Sequence, residues 1–519
     1  MKKAIYLIIA LIGLSAPSCS DSMLYFSPTD SGSGKELLKS ASTAITSVNG
    51  VYRSMWTAGW STTANTHQCF GIAAYNLALD CMADDLIMQS QGNGWFWGDH
   101  CYNVKSNYTS SAFRSYDVWY ANYKWIANVN YIIDAEPEMA GTEADVAYVA
   151  GQAYAIRALC YLNLATWFSR APYNSLTGAS RWNEPCVPVY TTGTSIDTGG
   201  QPRESLRTVY GRIDQDIDRA IELLEKARET TLAENNKSHI NLYVALGIKS
   251  RACLAEGDWD GAFKAAKRVI DEGGYAVGTK SDLTGGMNSL DKQNVMWGAG
   301  IQVADQAGGY AGFFTHMDNK EGADAKSAPK LISKQLYNRI SATDIRRDWW
   351  DPSDKESPYV SKKFSFANVA SFLGDYIYMR VEEMYFTAAE AALRLDDLKS
   401  ARELMNTVMA ERDPGYSANN RSGTLLGATT TTWTGSFLEN ILTHRRIELW
   451  GEYGRLFDVR RLGQGIDRRT DDGFSEECIS MMNRRNVNIT KADTYDWVLT
   501  IPKAELDANP NINEEDQNP

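Results

Sequence analysis

Apolar residues recur at helical spacing over much of the chain. In "SYDVWYANYKWIANVNYIID" (115–134), Trp119, Tyr123, Ile126, Val129 or Asn130, and Ile133 share one stripe, which predicts a helix with a buried face. "EADVAYVAGQAYAIRALCYLNLATWF" (143–168) repeats the spacing with many alanines, which permit close helix packing. "LRTVYGRIDQDIDRAIELLEKA" (206–227) is amphipathic, with Val209, Ile213, Ile217, Ile221 and Leu224 on its apolar side.

Two later segments match each other without gaps. "ACLAEGDWDGAFKAAKRVI" (252–270) aligns to "AALRLDDLKSARELMNTVM" (391–409), so that Ala262, Ala266 and Val269 correspond to Ala401, Met405 and Val408. In each, an Ala- and Leu-rich helix end meets an acidic turn and a second helix follows. That is the grammar of tetratricopeptide helix pairs, whose small residues let helices nest. The copies lie 139 residues apart, from Ala262 to Ala401, so the array is interrupted. The interruptions are rich in Gly, Ser, Thr, Asp and Pro, with short β-prone runs such as "NVMWGAGIQV" (294–303) and the long loop "YSANNRSGTLLGATTTTWTGS" (416–436). The expected fold is therefore mainly α: a tetratricopeptide-like scaffold with large irregular loop-rich insertions and a few short β-strands. Scaffold is expected at about 36–60, 112–170, 205–272, 376–412 and 434–462, and loop-rich parts at about 61–111, 172–204, 274–372 and 413–433. Loops held on a rigid scaffold are where binding usually resides.

Composition narrows the class. A net charge of −12 opposes nucleic acid as a partner, because its phosphates would be repelled. The 15 Trp and 27 Tyr exceed what a core needs and suit surfaces that are both apolar and hydrogen-bonding. Lys2 and Lys3 followed by the apolar run 4–14 read as a signal peptide over 1–18, too short to span a bilayer. Cleavage after Ala16-Pro17-Ser18 and lipid attachment at Cys19 both fit, with Ala16 standing where such lipoprotein signals usually have Leu; lipidation of Cys19 is the reading adopted. The remaining cysteines, Cys69, Cys81, Cys101, Cys160, Cys186, Cys253 and Cys478, form no zinc spacing. Cys160 and Cys253 read as small buried thiols, and a Cys69–Cys81 pairing is left open. The five histidines are scattered singly, so no metal and no cofactor is expected.

Candidate chemistry is sparse. Nucleophile-elbow, P-loop and dinucleotide glycine patterns are all missing from the sequence. Asp84 and Asp85, with Asp80 upstream, raise a glycosidase pair, but adjacent residues do not face each other across a sugar. Their readings are a helix end or solvated turn, and hydrogen bonding to sugar hydroxyls. The stretch "QSQGNGWFWGDH" (89–100) sets Trp95, Phe96 and Trp97 in a polar loop. On an extended backbone Trp95 and Trp97 would share one face, about 6.5–7 Å apart, while Phe96 points away. Each indole burying half its surface on a sugar would contribute about 2–3 kcal/mol; Asn93, Gln89, Gln91 and Asp99 would then meet the hydroxyls. The alternative folds these rings onto the scaffold. Trp297, Tyr310, Phe313 and Phe314 form a second candidate surface, whereas Trp349 and Trp350 are expected under the loops. Glu448 and Glu452, with Arg445 and Arg455 three residues away, read as ion pairs along one helix, and Arg380, Glu383 and Glu390 as a similar network in a helix from Tyr376.

Five motifs occur in order: "QAYAIRALCYLNLATWF" (152–168), "EGDWDGAFKAAKRVI" (256–270), "YIYMRVEEMYFTAAEAAL" (376–393), "ILTHRRIELWGEYGRLFDVRRLG" (441–463) and "IPKAELDANPNI" (501–512). Together they resemble the SusD/RagB family of cell-surface glycan-binding lipoproteins over almost the whole mature chain, with His444 and Tyr453 departing from its usual residues. The resemblance implies one SusD-like domain over 19–519, outer-membrane attachment at the cell surface, and a SusC-like TonB-dependent transporter as partner. It also implies binding of glycan without cleaving it. A secreted glycan-active hydrolase and a protein–protein scaffold without glycan binding are the alternatives.

Overall fold

Several helices in this chain start where a short polar side chain satisfies the amides of the first turn. Thr142 accepts from the Asp145 amide, Ser205 from Thr208, Asn241 from Tyr243 and Val244, and Ser436 from Glu439. The computed structural model describes residues 34–57, 66–103, 113–195, 197–233, 237–305, 311–492 and 494–519. The expected signal peptide, Cys19 and Tyr310 lie outside the described residues.

The helices that build the scaffold are α1 (Ala41–Ser54), α2 (Ile72–Met82), α3 (Phe113–Ala135), α4 (Glu143–Phe168), α5 (Leu206–Lys226), α6 (Leu242–Glu256), α7 (Trp259–Glu272), α8 (Val381–Arg394), α9 (Leu398–Ala410), α10 (Phe437–Glu448) and α11 (Arg455–Leu462). Each packs on the next from α3 to α9, so α7 lies directly on α8. The two matched helix pairs are thus neighbours in space although more than a hundred residues of loops, short strands and short helices separate them in sequence. Helix α1 covers α3 and α4, α10 packs on α8, and α11 meets α2. The apolar stripe read from 206–227 is buried at Val209, Ile213, Ile217 and Leu224.

Strands are short. β1 (Leu86–Ile87), β3 (Leu331–Ile332), β5 (Val360–Ser361) and β4 (Trp350–Asp351) form one antiparallel sheet in that order. β2 (Val295–Ala299) pairs with β6 (Tyr376–Arg380), Val295 opposite Arg380 and Ala299 opposite Tyr376. The segment from Tyr376 is therefore a strand before it becomes α8. β-Branched and aromatic residues find a ladder partner there, and helix begins only at Val381. Trp349 and Trp350 are buried, as expected.

The arginine-rich segment also departs from a single helix. It ends at Glu448 and resumes at Arg455, across left-handed Gly451 and Gly454. Its ions consequently find distant partners. Glu448 accepts from Arg346, Arg380 and Arg412 at 2.9–3.0 Å, and Glu452 from Arg380 and Lys363. Arg445 pairs with Asp458 at 2.8 Å, and Arg251 with Glu383 at 2.7 Å. Burial would raise the Glu448 carboxyl, but the three guanidiniums outweigh it and hold it well below the usual carboxylate range. The network is structural, with a different set of pairs from the helical spacing. All seven cysteines within the described residues are buried thiols outside any disulfide, Cys69 and Cys81 included.

Candidate functional site

Loop 89–100 is not extended, and the backbone decides where its aromatics go. Gly92 (φ +52°) passes so close to the 313–328 segment that a Cβ would sit 2.5 Å from the Ser327 carbonyl oxygen. Phe96 is left-handed (φ 60°), and Trp97–His100 form one helical turn. The alternation that would put Trp95 and Trp97 on one face is lost. Trp97 is 3% exposed and packs against His100; it is core, not platform. Phe96 anchors the loop: it is buried edge-on to Phe70 and His316, with the Arg114 guanidinium 5.4 Å from its centroid.

Several other expected ligand contacts are likewise withdrawn into the fold. Asp99 is buried in a two-bond pair with Arg114, at 2.8 and 3.1 Å. Asp84 and Asp85, which lead into β1, are buried against Arg446 and Arg455. Burial raises the Asp84 carboxyl, yet Arg455 and Arg446 prevail and bring it to about 2. A sugar hydroxyl would have to displace a guanidinium to reach either acid. Trp297 is buried on β2, its indole donating to the Ser238 carbonyl at 3.2 Å and meeting Tyr378 edge-on. Phe313 and Phe314 are also core, perpendicular to each other at 5.3 Å. Glycine-rich context signalled loops correctly, but these rings turn inward because the loops must bury apolar area of their own.

What stays accessible is a smaller group. Gln89, Gln91 and Asn93 are exposed and Trp95 is half-buried. The Trp95 indole lies parallel to the His67 ring, 4.9 Å between centroids and 4° between planes. His67 Nδ1 is 3.0 Å from Asp324 Oδ2, and Asn93 Nδ2 donates to Asp324 Oδ1. His316 Nε2 approaches the same Asp324 Oδ2 at 3.5 Å. Three excursions, from 66–70, 89–97 and 313–328, therefore converge beneath Trp95. His316 is wholly buried, stacked on Phe70. Burial, then the positive charge of Lys330, depresses its basicity well below the ordinary imidazole. The His67 carbonyl lies near enough to oppose this electrostatically, yet neither ring nitrogen completes a hydrogen bond. The singly scattered histidines gave no hint of this convergence, since 249 residues separate His67 from His316.

Elsewhere, a concavity of about 440 Å³ runs along α3, lined by Trp119, Tyr120, Tyr123, Lys124, Tyr190 and Glu505. Trp119 donates to Glu505 at 3.2 Å, and Tyr123 to the Pro188 carbonyl at 2.7 Å. The helical stripe of "WYANY" carried both rings, but the same spacing serves a buried face.

Two family models match the chain: "Starch-binding associating with outer membrane" over residues 44–254 and "SusD family" over 320–519. No curated protein matches it in sequence. A SusD-like carbohydrate binding protein of Bacteroides vulgatus ATCC 8482 is 24% identical, with TM-score 0.73, over 92% of this chain and 98% of its own. A SusD superfamily protein of Bacteroides thetaiotaomicron VPI-5482 is 22% identical, TM-score 0.72, over 92% and 100%. Surface glycan-binding protein A of Bacteroides thetaiotaomicron, solved with laminarihexaose, is 17% identical, TM-score 0.63, over 92% and 99%. With family models on both halves and a mainly helical SusD-like fold throughout, the chain belongs to the SusD/RagB family of glycan-binding proteins.

Proposed function

We propose that the protein captures an oligo- or polysaccharide at the cell surface and passes it uncleaved to a SusC-like TonB-dependent transporter. It would be held to the outer membrane by lipid on Cys19. The observation that carries this reading is the half-buried Trp95 indole, backed by the parallel His67 ring and bordered by exposed Asn93, Gln89 and Gln91. An indole gives sugar faces an apolar surface, and the amides give hydroxyls both donors and acceptors. Family membership and the laminarihexaose-bound neighbour support glycan as the ligand class. The rigid backing by His67 matters because a platform already in place loses little conformational freedom on binding. Asp84 and Asp85 are tied to arginines and supply no opposed carboxylate pair.

The test begins with affinity electrophoresis against a panel of polysaccharides, followed by calorimetry on the one retained. Trp95→Ala is expected to weaken binding about 10- to 100-fold, equal to roughly 1.4–2.7 kcal/mol, while Tyr120→Ala in the α3 cleft leaves it unchanged. The opposite pattern moves the site to the cleft. Retention on no polysaccharide would favour a protein–protein scaffold, and release of reducing sugar would establish a hydrolase.

A further inference from the structure

Three polar side chains meet where no acid–base or sugar contact requires them. One ring nitrogen each of His67 and His316 and an oxygen of Asp324 all lie within 4.8 Å of one another. Two of the separations are 3.0 Å (His67 to Asp324) and 3.5 Å (His316 to Asp324). Ligands about 2.0–2.2 Å from a tetrahedral ion stand roughly 3.3–3.5 Å apart, so the His316–Asp324 separation already fits, the His67–Asp324 pair would open slightly, and the two imidazoles would draw together by at most about 1.4 Å. An ion pair between His67 and Asp324 accounts for only part of the cluster. It leaves His316 wholly buried with both ring nitrogens lacking a hydrogen bond, a cost folded proteins avoid unless something else engages the group.

We infer that His67, His316 and Asp324 form a binding site for a divalent transition metal of the zinc class. Two imidazoles and one carboxylate suit zinc, whereas calcium and magnesium prefer oxygen ligands throughout. The surroundings already act as an outer shell. Asn93 donates to the other oxygen of Asp324 and fixes the carboxylate's orientation. Phe70 stacks on His316 and Phe96 meets it edge-on, at 5.7 and 5.1 Å, which holds the ring plane. Three protein ligands leave a fourth position for water. The ion would cross-link segments 66–70 and 313–328, with 89–97 joined to them through Asn93. Because Trp95 is stacked on His67, it would also fix the half-buried indole in place.

The experiment titrates ZnCl2 into the chelator-treated full chain by calorimetry, with thermal melting alongside and no glycan present. One zinc per chain and a raised melting temperature are expected, with no matching response to MgCl2. His67→Gln and Asp324→Asn are each expected to weaken zinc at least 10-fold. His316→Leu, which fills the apolar pocket between Phe70 and Phe96, should do the same while melting no lower than zinc-free wild type. Asn93→Ala should weaken zinc about 10-fold through loss of orientation. Absence of saturable one-to-one binding by the wild type overturns the site, as does wild-type affinity in the three ligand variants. Trp95→Ala spares every ligand, so it should keep zinc while losing glycan. Failure of the metal site is thereby distinguished from failure of the glycan reading.

Discussion

Asp80 is a buried carboxyl that works against the fold as pH rises. Its Oδ1 accepts from the Arg455 amide, while Oδ2 has no hydrogen-bond partner. Burial pushes its pKa up to about 8; the Arg455 amide opposes this and the Asp85 charge adds to it. Between the unfolded value of about 3.9 and the folded value, the native chain holds a proton the unfolded chain has released. Stability from this group is therefore complete below about pH 4 and lost up to about pH 8, at as much as about 1.4 kcal/mol per pH unit. Asp80→Asn removes the titration and keeps the shape. Its stability relative to wild type, from urea midpoints, is expected to climb between pH 5 and pH 8; a constant difference would contradict the neutral buried acid. The same residues mark the limit of reading sites from sequence. Asp84, Asp85 and Asp99 announce charge, but not that Arg446 waits 362 residues beyond Asp84. Trp97 announces apolar area, but its direction depends on the left-handed Phe96 beside it.

At the scale of elements, the duplicated motif was legible as an acidic turn between two helices in each copy, and the structure adds its atoms. Asp258 caps the Gly261 amide and Asp397 caps the Ser400 amide, both at 3.0 Å, at aligned positions. The residue before each cap is left-handed in both copies, Gly257 at φ 76° and Asp396 at φ 62°. Glycine adopts that conformation freely, whereas a side chain there carries strain of about 1–2 kcal/mol. Asp396 is exposed, so Asp396→Gly has nothing to lose in packing. The relief is partly offset by the greater freedom of the unfolded glycine chain. A net gain of about 0.5 kcal/mol is expected, visible as a higher melting temperature. Gly257→Asp should go the other way by at least about 1 kcal/mol, because its Cβ would meet the Tyr173 ring at 2.5 Å. A destabilised Asp396→Gly would mean that the aspartate is not strained. The turn was readable because caps and left-handed residues act locally. That α7 and α8 pack together was not, since loop length carries no information about where a helix returns.

For the whole molecule, buried ions couple the two halves that the family models match separately. Arg446 and Arg455 neutralise Asp84 and Asp85, and Arg468 donates to the carbonyls of Cys81, Ala83 and His100. The apolar core likewise runs without a break from Ala41 to Ile501. Removing one partner of a buried pair strands the other charge, typically at a cost of about 3–5 kcal/mol. Arg446→Met is expected to cost about that much in urea unfolding, because it leaves two buried carboxylates sharing Arg455 alone. The same physics applies more strongly to a divided chain. Residues 320–519 alone would keep three arginines, Arg446, Arg455 and Arg468, whose carboxylate and carbonyl acceptors lie between 80 and 100, and no single stabilising contact offsets several such losses against a total stability of about 5–15 kcal/mol. That fragment is expected to aggregate or show little cooperative melting by circular dichroism. Mixed with residues 34–305, it should recover helix signal and elute as one complex. A fragment 320–519 that melted cooperatively on its own would mean the arginines tolerate water, and that the two matched regions are separate domains despite their shared core.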